Sequence, residues 1–214
     1  MVNRVLGNVF STRTQRVLFV LEELGVQYDF QSLDFAKAEH HASEYVSEFH
    51  PFARLPAFQD EKVKIFESRA ISRYLAGKYS GSLTPPTDLV EAAYYDQAAS
   101  VEHSYFEPPI EKLGFELVFK KQLGLGEADD QVVGYQTKLL LAALDYYESL
   151  LSKQEYLAGN TFSLIDIYNV PWVSFLEQRI NFGKEIAARK KVAAWWAKVS
   201  GRPAWRKVLG RLPH

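Results

Sequence analysis

Ser11 is the first side chain in the sequence whose type and position could support chemistry. It directly precedes apolar residues at helical spacing, Val17, Val20, Leu21 and Leu24, so its hydroxyl lies at or near a helix N-terminus. A hydroxyl there can donate a hydrogen bond to an anion. If that anion is a thiolate, the thiol pKa falls and more of it is nucleophilic at neutral pH. The simpler interpretation is that Ser11 only caps the helix.

Any such thiolate has to come from a ligand, because the 214 residues contain no cysteine. The same absence excludes disulfides, thiolate metal sites and a cysteine nucleophile. The five histidines have no metal-ligand spacing, so no metal site is predicted. With 25 Lys and Arg against 26 Asp and Glu, the net charge of −1 argues against a nucleic-acid partner. We also expect no membrane association and a cytoplasmic location, because neither a signal peptide nor a membrane-spanning run is present.

A second candidate site is Glu67-Ser68, where a predicted strand ends and a helix begins. The free N–H groups of a helix N-terminus and the Ser68 hydroxyl suit a carboxylate, and Glu67 suits an ammonium group. Together they match the α-amino acid end of a small molecule. Here too the simpler interpretation is a cap, with Ser68 as the N-cap residue.

Pro56 and the histidine pair are two further features with a possible binding role. Pro56 interrupts a strand pattern, and a cis Leu55-Pro56 peptide would expose the Leu55 N–H and C=O to an extended, peptide-like ligand. The sequence alone favours an ordinary trans proline. His40 and His41 lie in a polar segment, where they either bind an anion or are solvated.

The order of predicted elements in the first third is β-α-β-loop-β-β-α. Strands at residues 4–7 and 27–33 flank the first helix, which predicts a parallel βαβ unit. Segments 55–58 and 63–66 are spaced as an antiparallel hairpin that leads into the helix at Ser68. We therefore expect a small mixed α/β domain over residues 1–80.

The remainder of the chain is predicted to be helical. Residues 81–88 contain two adjacent prolines and are expected to form a linker before an all-helical domain at residues 89–214. Pro108-Pro109 is expected to separate two of its helices. Ser163 and Asp166 have the spacing of a capping box before an apolar run.

In this order and spacing, these motifs resemble those of a glutathione S-transferase over nearly the whole chain. The resemblance implies a thioredoxin-like α/β N-terminal domain, an all-α C-terminal domain and a homodimer. The segments that carry it are Leu55-Pro56-Ala57, Phe66-Glu67-Ser68-Arg69-Ala70-Ile71, Pro85-Pro86 and Ser163-Leu164-Ile165-Asp166.

Within that family the chain is similar to the phi class, whose catalytic serine lies in a segment like residues 7–17 here. By this resemblance Ser11 is the catalytic serine, and the neighbouring Thr12 is a second hydroxyl that could share its role. His40 and His41 would hold the glycyl end of glutathione, Leu55 would pair with its cysteinyl backbone, and Glu67 and Ser68 would bind the γ-glutamyl end. The full glutathione-binding set is His40, His41, Arg54, Leu55, Pro56, Glu67 and Ser68.

The chain departs from the phi pattern N-P-F-G-Q-V-P, because it has His50-Pro51-Phe52-Ala53-Arg54-Leu55-Pro56 there. Arg54 replaces an amide and can still donate to a glutathione carboxylate, with altered geometry.

The resemblance implies an enzyme that uses glutathione as its co-substrate and conjugates it to apolar electrophiles. Reduction of organic hydroperoxides is a related activity of such a site. The alternative is a ligandin, which holds hydrophobic molecules with weak or no catalysis. The electrophile is expected between the two domains in a pocket rich in aromatic residues. Its candidate residues are Val9, Phe10, Phe35, Tyr105, Phe106, Phe115, Phe119 and Phe175.

Overall fold

The computed structural model describes residues 3–212, which form two compact units. One unit contains the described residues as far as Pro85 together with those from Gly201 onward, and the other runs from Pro86 to Ser200. The last residues thus belong with the first unit, although the sequence suggested that they end the helical domain. The reason is packing: the fully buried Trp205 lies against Phe19, with ring centroids 5.3 Å apart.

The first unit has the predicted β-α-β-loop-β-β-α order, and the loop contains a short helix. Its sheet has the strand order β2-β1-β3-β4, in which β1 and β2 are parallel and the other neighbours antiparallel. The elements are β1 (Asn3–Gly7), α1 (Thr12–Glu23), β2 (Tyr28–Ser32), a 3₁₀ turn (Glu39–His41), α2 (Ser43–Glu48), β3 (Ala57–Gln59), β4 (Lys64–Phe66) and α3 (Ser68–Tyr79). After the second unit the chain returns and adds α11 (Pro203–Leu209).

Helix α1 forms the centre of this unit. Its residues from Thr14 to Leu21 are all buried, because α1 packs against α3 and α11 as well as lying beside the sheet. Gly25 follows the helix with φ of +64°, a left-handed conformation that glycine adopts without strain. The chain can therefore leave α1 sharply and enter β2.

The second unit is helical throughout its regular elements. They are α4 (Leu89–Val101), a π-helical turn (Glu102–Phe106), α5 (Glu107–Gly114), a second π-helical turn (Phe115–Phe119), α6 (Lys120–Gln122), α7 (Asp130–Leu151), α8 (Leu164–Arg179), α9 (Gly183–Ala187) and α10 (Lys190–Ser200). No helix within residues 3–212 is long and apolar enough to cross a membrane.

The predicted helix break at Pro108-Pro109 is wrong. Helix α5 begins at Glu107, so both prolines occupy its first turn. The preceding π-helical turn joins α4 to α5 without interruption. Two prolines at this position therefore continue the helical run instead of ending it.

Asp60 holds the turn between β3 and β4 against α3. Its buried carboxylate accepts hydrogen bonds from the backbone N–H of Lys62 and Val63, and from the side chains of Tyr74 and Lys78, both at 2.7 Å. Burial alone would raise the pKa of Asp60, but these donors outweigh it and hold the pKa well below the usual range. The hairpin and the helix are thus joined through one carboxylate.

We expect Asp60→Asn to lower the free energy of unfolding by about 1–3 kcal/mol. The substitution removes the charge that strengthens these hydrogen bonds, and the amide NH2 group then lies against groups that are themselves donors. The depressed pKa means that the Asp60 contribution is complete above the unfolded value near 3.8 and is lost as the pH falls below it. Urea unfolding at neutral pH and at about pH 3 measures both effects. Equal stability of the two proteins at neutral pH would contradict this role.

Candidate active site

Four segments that carry predicted binding residues emerge from the same end of the sheet. In the strand register Leu6 of β1 is opposite Ala57 of β3, and Ala57 is opposite Phe66 of β4. Gly7 at the end of β1 is opposite Ser32 at the end of β2. From this end of the sheet the chain leads to Ser11 after β1, to the Leu33–His41 segment after β2 and to Glu67 after β4. It enters β3 at the same end through Leu55-Pro56.

Ser11 is the N-cap residue of α1. Its hydroxyl oxygen accepts a hydrogen bond from the Thr14 backbone N–H at 3.3 Å, so the capping interpretation is confirmed. The Ser11 O–H has no acceptor within residues 3–212 and remains available as a donor. Capping and donation to an anion are thus compatible, because they use the oxygen lone pair and the proton respectively.

The loop that carries Ser11 is held by side chains on both sides. Asn8 donates to the Leu33 carbonyl at 2.8 Å and accepts from the Phe10 N–H at 3.0 Å. Gln15 donates to the Val9 carbonyl at 2.8 Å. These bonds fix the path of the loop, so the Ser11 hydroxyl is preorganised before a ligand arrives.

Ser68 does not cap α3, which corrects the simpler interpretation of this residue. It is the first helical residue, and its buried hydroxyl accepts a hydrogen bond from the Arg16 guanidinium at 2.9 Å. Arg16 is fully buried in α1, so this bond ties the N-terminus of α3 to α1. Sequence reasoning missed Arg16. The available signal was a charged residue inside the apolar run of α1.

Glu67 occupies the N-cap position of α3 but makes no side-chain cap. Its φ of +70° is a left-handed conformation, which costs about 1–3 kcal/mol for a residue with a side chain. The carboxylate is exposed and has no hydrogen-bond donor within the described residues. A strained residue with a free carboxylate at the sheet end is suited to a cationic ligand group.

The Leu55-Pro56 peptide is cis, so the expectation of an ordinary trans proline is wrong. The Leu55 N–H and C=O have no hydrogen-bond partner in the part of the chain that the structure describes. The Leu55 side chain is anchored in a small core with Leu6, Leu33 and Tyr45, and Tyr45 donates to the Arg54 carbonyl at 2.7 Å. The Leu55 backbone is therefore available to pair with an extended ligand.

His40 and His41 lie side by side in the 3₁₀ turn, with ring centroids 4.2 Å apart. The His40 ring also meets Phe35 edge-on at 5.3 Å, and its buried Nδ1 has no hydrogen-bond partner among residues 3–212. Burial and the neighbouring His41 lower the pKa of His40. Both imidazoles are thus placed on the same turn, at the border of the site.

The predicted electrophile contacts differ in exposure. Phe106 has no exposed surface and packs against Tyr147 with ring centroids 5.2 Å apart, so it is a core residue and the prediction that it lines a pocket is wrong in this structure. Val9 and Phe175 are half-buried, and Phe175 stacks on Phe119. The exposed members are Phe10, Phe35, Tyr105, Phe115 and Phe119.

A cavity of about 490 Å³ within the helical unit includes one of these aromatic residues, Phe115. Its other lining residues are Glu111, Lys112, Glu116, Val132 and Gln136.

Among the described residues there is no group of His, Cys, Asp or Glu that could hold a metal ion.

Comparison with protein families gives two matches that together cover most of the chain. Residues 1–77 match the model of the glutathione S-transferase N-terminal domain, and residues 106–203 match that of the C-terminal domain. The first match contains Ser11, Leu55-Pro56 and Glu67-Ser68, and the second contains the capping box at Ser163.

Individual relatives match over nearly their full lengths. Glutathione S-transferase PM239X14 from Arabidopsis thaliana is 39% identical to this chain, and the match covers 98% of this chain and 94% of the relative. The crystal structure of glutathione transferase F2 from Populus trichocarpa has a TM-score of 0.90 at 33% identity, with 97% of each chain covered. Glutathione S-transferase I from maize, in complex with an atrazine glutathione conjugate, has a TM-score of 0.89 at 33% identity, covering 98% of this chain and 97% of the other.

Proposed function

The chain belongs to the phi class of the glutathione S-transferase family and conjugates glutathione, and we propose that Ser11 is the residue that stabilises the reacting thiolate. The observation that supports this role most is the free Ser11 O–H at the sheet end, on a loop fixed by Asn8 and Gln15. Donation of this proton favours the thiolate over the thiol, and the helix N-terminus adds to the effect. No cysteine of the chain competes with that thiolate.

The remaining groups at the sheet end are proposed to bind the rest of glutathione. The Glu67 carboxylate would accept the γ-glutamyl ammonium, and Ser68 with the α3 N-terminus would bind the neighbouring carboxylate. The unpaired Leu55 backbone, next to Pro56, would pair with the cysteinyl unit as an added strand. His40, His41 and the exposed Arg54 would hold the glycyl carboxylate.

In this arrangement the thiolate attacks the electrophilic carbon of an apolar substrate, and the leaving group departs with its bonding electrons. The proposed contacts for that substrate are Val9, Phe10, Phe35, Tyr105, Phe115, Phe119 and Phe175. The same thiolate would attack the peroxide oxygen of an organic hydroperoxide, which is a second activity to test: the O–O bond breaks, the alcohol leaves, and a second glutathione converts the resulting glutathione sulfenic acid to glutathione disulfide and water. Thr12 is largely buried, so its hydroxyl is a weaker candidate than Ser11.

A homodimer in the cytoplasm remains part of this proposal. Apolar side chains that are largely exposed occur on both units, including Phe52 in the first and Leu89, Val90 and Tyr94 on α4. Exposed apolar surface of this kind suits a protein partner. Light scattering of the purified protein would distinguish a dimer from a monomer.

The direct test is conjugation of glutathione to 1-chloro-2,4-dinitrobenzene, followed by absorbance. Turnover that requires both substrates supports the transferase proposal. Screening isothiocyanates and organic hydroperoxides in the same format defines the electrophile class. Tight binding of hydrophobic ligands with no turnover of any of these compounds would favour the ligandin alternative.

We expect Glu67→Gln to raise the KM for glutathione at least about tenfold, because the ammonium group loses its charged partner. N-acetylglutathione, which lacks this ammonium group, is the matched probe: wild type and variant should bind it equally. Steady-state kinetics with both compounds measure the difference. If the substitution raises the KM by the same factor for both compounds, the proposed ammonium contact is wrong and Glu67 acts through the fold.

A further inference from the structure

His50 is a buried histidine at the edge of the proposed glutathione site, and the proposed function gives it no role. It lies two residues after the end of α2 and is only 2% exposed. Its backbone N–H donates to the Tyr45 carbonyl, and its carbonyl accepts from the Ala53 N–H at 2.9 Å. It thus starts the turn that leads to Arg54, Leu55 and Pro56.

The surroundings of the His50 imidazole are aromatic. Its ring lies 4.6 Å from the Phe66 ring and 6.3 Å from the Phe52 ring, measured between centroids. The Nδ1 atom is buried and has no hydrogen-bond partner within residues 3–212. Phe66 is the last residue of β4, so the His50 ring packs on the side chain of the residue that directly precedes Glu67.

Two charged groups of the proposed glutathione site act on this imidazole. Burial lowers the pKa of His50, the nearby Glu67 carboxylate works to raise it, and the Arg54 guanidinium lowers it further, so that the pKa ends below its usual value. Of the charged side chains on α2 and β4, Glu48 and Lys64 form an ion pair with each other at 2.8 Å. His50 is therefore neutral at pH 7.

We propose that His50 is a positioning residue of the glutathione site, whose neutral imidazole supports Phe66 and leaves the Glu67 carboxylate free for the γ-glutamyl ammonium group. This inference rests on the proposed binding role of Glu67. A proton on His50 adds a cation that competes with the ligand ammonium for the same carboxylate and repels it. By linkage, a proton on His50 and bound glutathione then disfavour each other.

Binding of S-methylglutathione tests this inference without thiol ionisation. Its dissociation constant is measured by titration calorimetry between about pH 5 and pH 7.5, the range in which a histidine changes charge. The variant His50→Phe keeps an aromatic ring against Phe66 but cannot be protonated. His50→Asn, which restores the residue common in the phi pattern, is the second variant if the first folds poorly. His103→Phe changes an exposed histidine in the helical unit and is the matched control.

We expect the ratio of the wild-type dissociation constant to that of His50→Phe to rise roughly three- to tenfold on acidification, as estimated for one added charge near an exposed partner. Any other group that titrates does so in all proteins compared and cancels from this ratio. His103→Phe should follow the wild type. A ratio that is the same at both pH values overturns the inference while leaving the proposed function intact, whereas absence of binding at pH 7.5 overturns both.

Discussion

Replacing Ser11 with alanine is expected to lower kcat/KM for glutathione conjugation by about 10²–10³-fold, the range observed when a preorganised donor to a developing or resident anion is removed. The loss should appear mainly in the chemical step, because the contacts of Glu67, Ser68 and Leu55 with glutathione remain. Steady-state kinetics with 1-chloro-2,4-dinitrobenzene, combined with a glutathione binding isotherm, separates the two contributions.

The structural role of Ser11 as a helix cap requires its own control. Losing the cap lowers stability by about 1 kcal/mol, and Ser11→Asp keeps a cap acceptor while removing the donor and adding a negative charge. Ser11→Asp should therefore be as stable as the wild type and as inactive as Ser11→Ala. Thr12→Ala tests the neighbouring hydroxyl and should keep most of the activity. Full activity in Ser11→Ala, or a large loss in Thr12→Ala alone, would contradict the assignment.

Replacing Asp166 with alanine is expected to lower the free energy of unfolding of the protein by about 3–5 kcal/mol, because several buried donors lose their common acceptor. The fully buried carboxylate accepts from the backbone N–H of Leu157 and Ser163, from the Ser163 hydroxyl and from Trp195 Nε1. It thereby connects the loop at Leu157, the start of α8 and helix α10. Burial raises the pKa of Asp166, and these hydrogen bonds offset part of that rise.

Denaturant unfolding of three variants shows whether this stability depends on the Asp166 carboxylate as a shared acceptor or only on the Ser163 cap. Ser163→Ala removes only the N-cap hydroxyl and should cost about 1 kcal/mol. Asp166→Asn keeps the volume but turns one acceptor into a donor, so it should lie between Ser163→Ala and Asp166→Ala. If Asp166→Ala is no less stable than Ser163→Ala, the bonds to Leu157 and Trp195 contribute nothing.

The elements of the first unit follow from patterns that depend on neighbours in sequence. Helical spacing from Val17 to Leu24 and the hairpin spacing before Phe66 placed α1, β3, β4 and α3 close to their observed bounds. The capping box at Ser163 is likewise local, and both of its hydrogen-bonded halves are present. Patterns of this kind are readable because the interacting residues are three or four positions apart.

The features that the sequence analysis missed depend on contacts between residues far apart in the chain. Trp205 belongs to the first unit because it packs on Phe19, and no local pattern links positions so far apart. Ser68 has the type and position of a helix cap, yet its hydroxyl is used by Arg16 in another helix. Phe106 is among the predicted pocket residues because a single sequence does not distinguish a core ring from a pocket wall.

The residue types predicted which groups could do chemistry, but only the structure shows that their segments meet at one end of the sheet. The sequence suggested Ser11, Leu55 and Glu67 separately, each with a simpler structural interpretation. The strand register brings their segments to one end of the sheet, where each retains an unpaired group. His50 stood out only as a departure from the phi pattern, and its burial against Phe66 required the structure.

The pKa of the thiol of bound glutathione tests the role of Ser11 most directly. It is obtained from the ultraviolet absorbance of the thiolate as a function of pH, with saturating glutathione and no electrophile, in wild type and Ser11→Ala. We predict a wild-type pKa about one to two units below that of free glutathione, and a return toward the free value in the variant. The same lowered pKa in both proteins would show that another group stabilises the thiolate, and would contradict the assignment of Ser11.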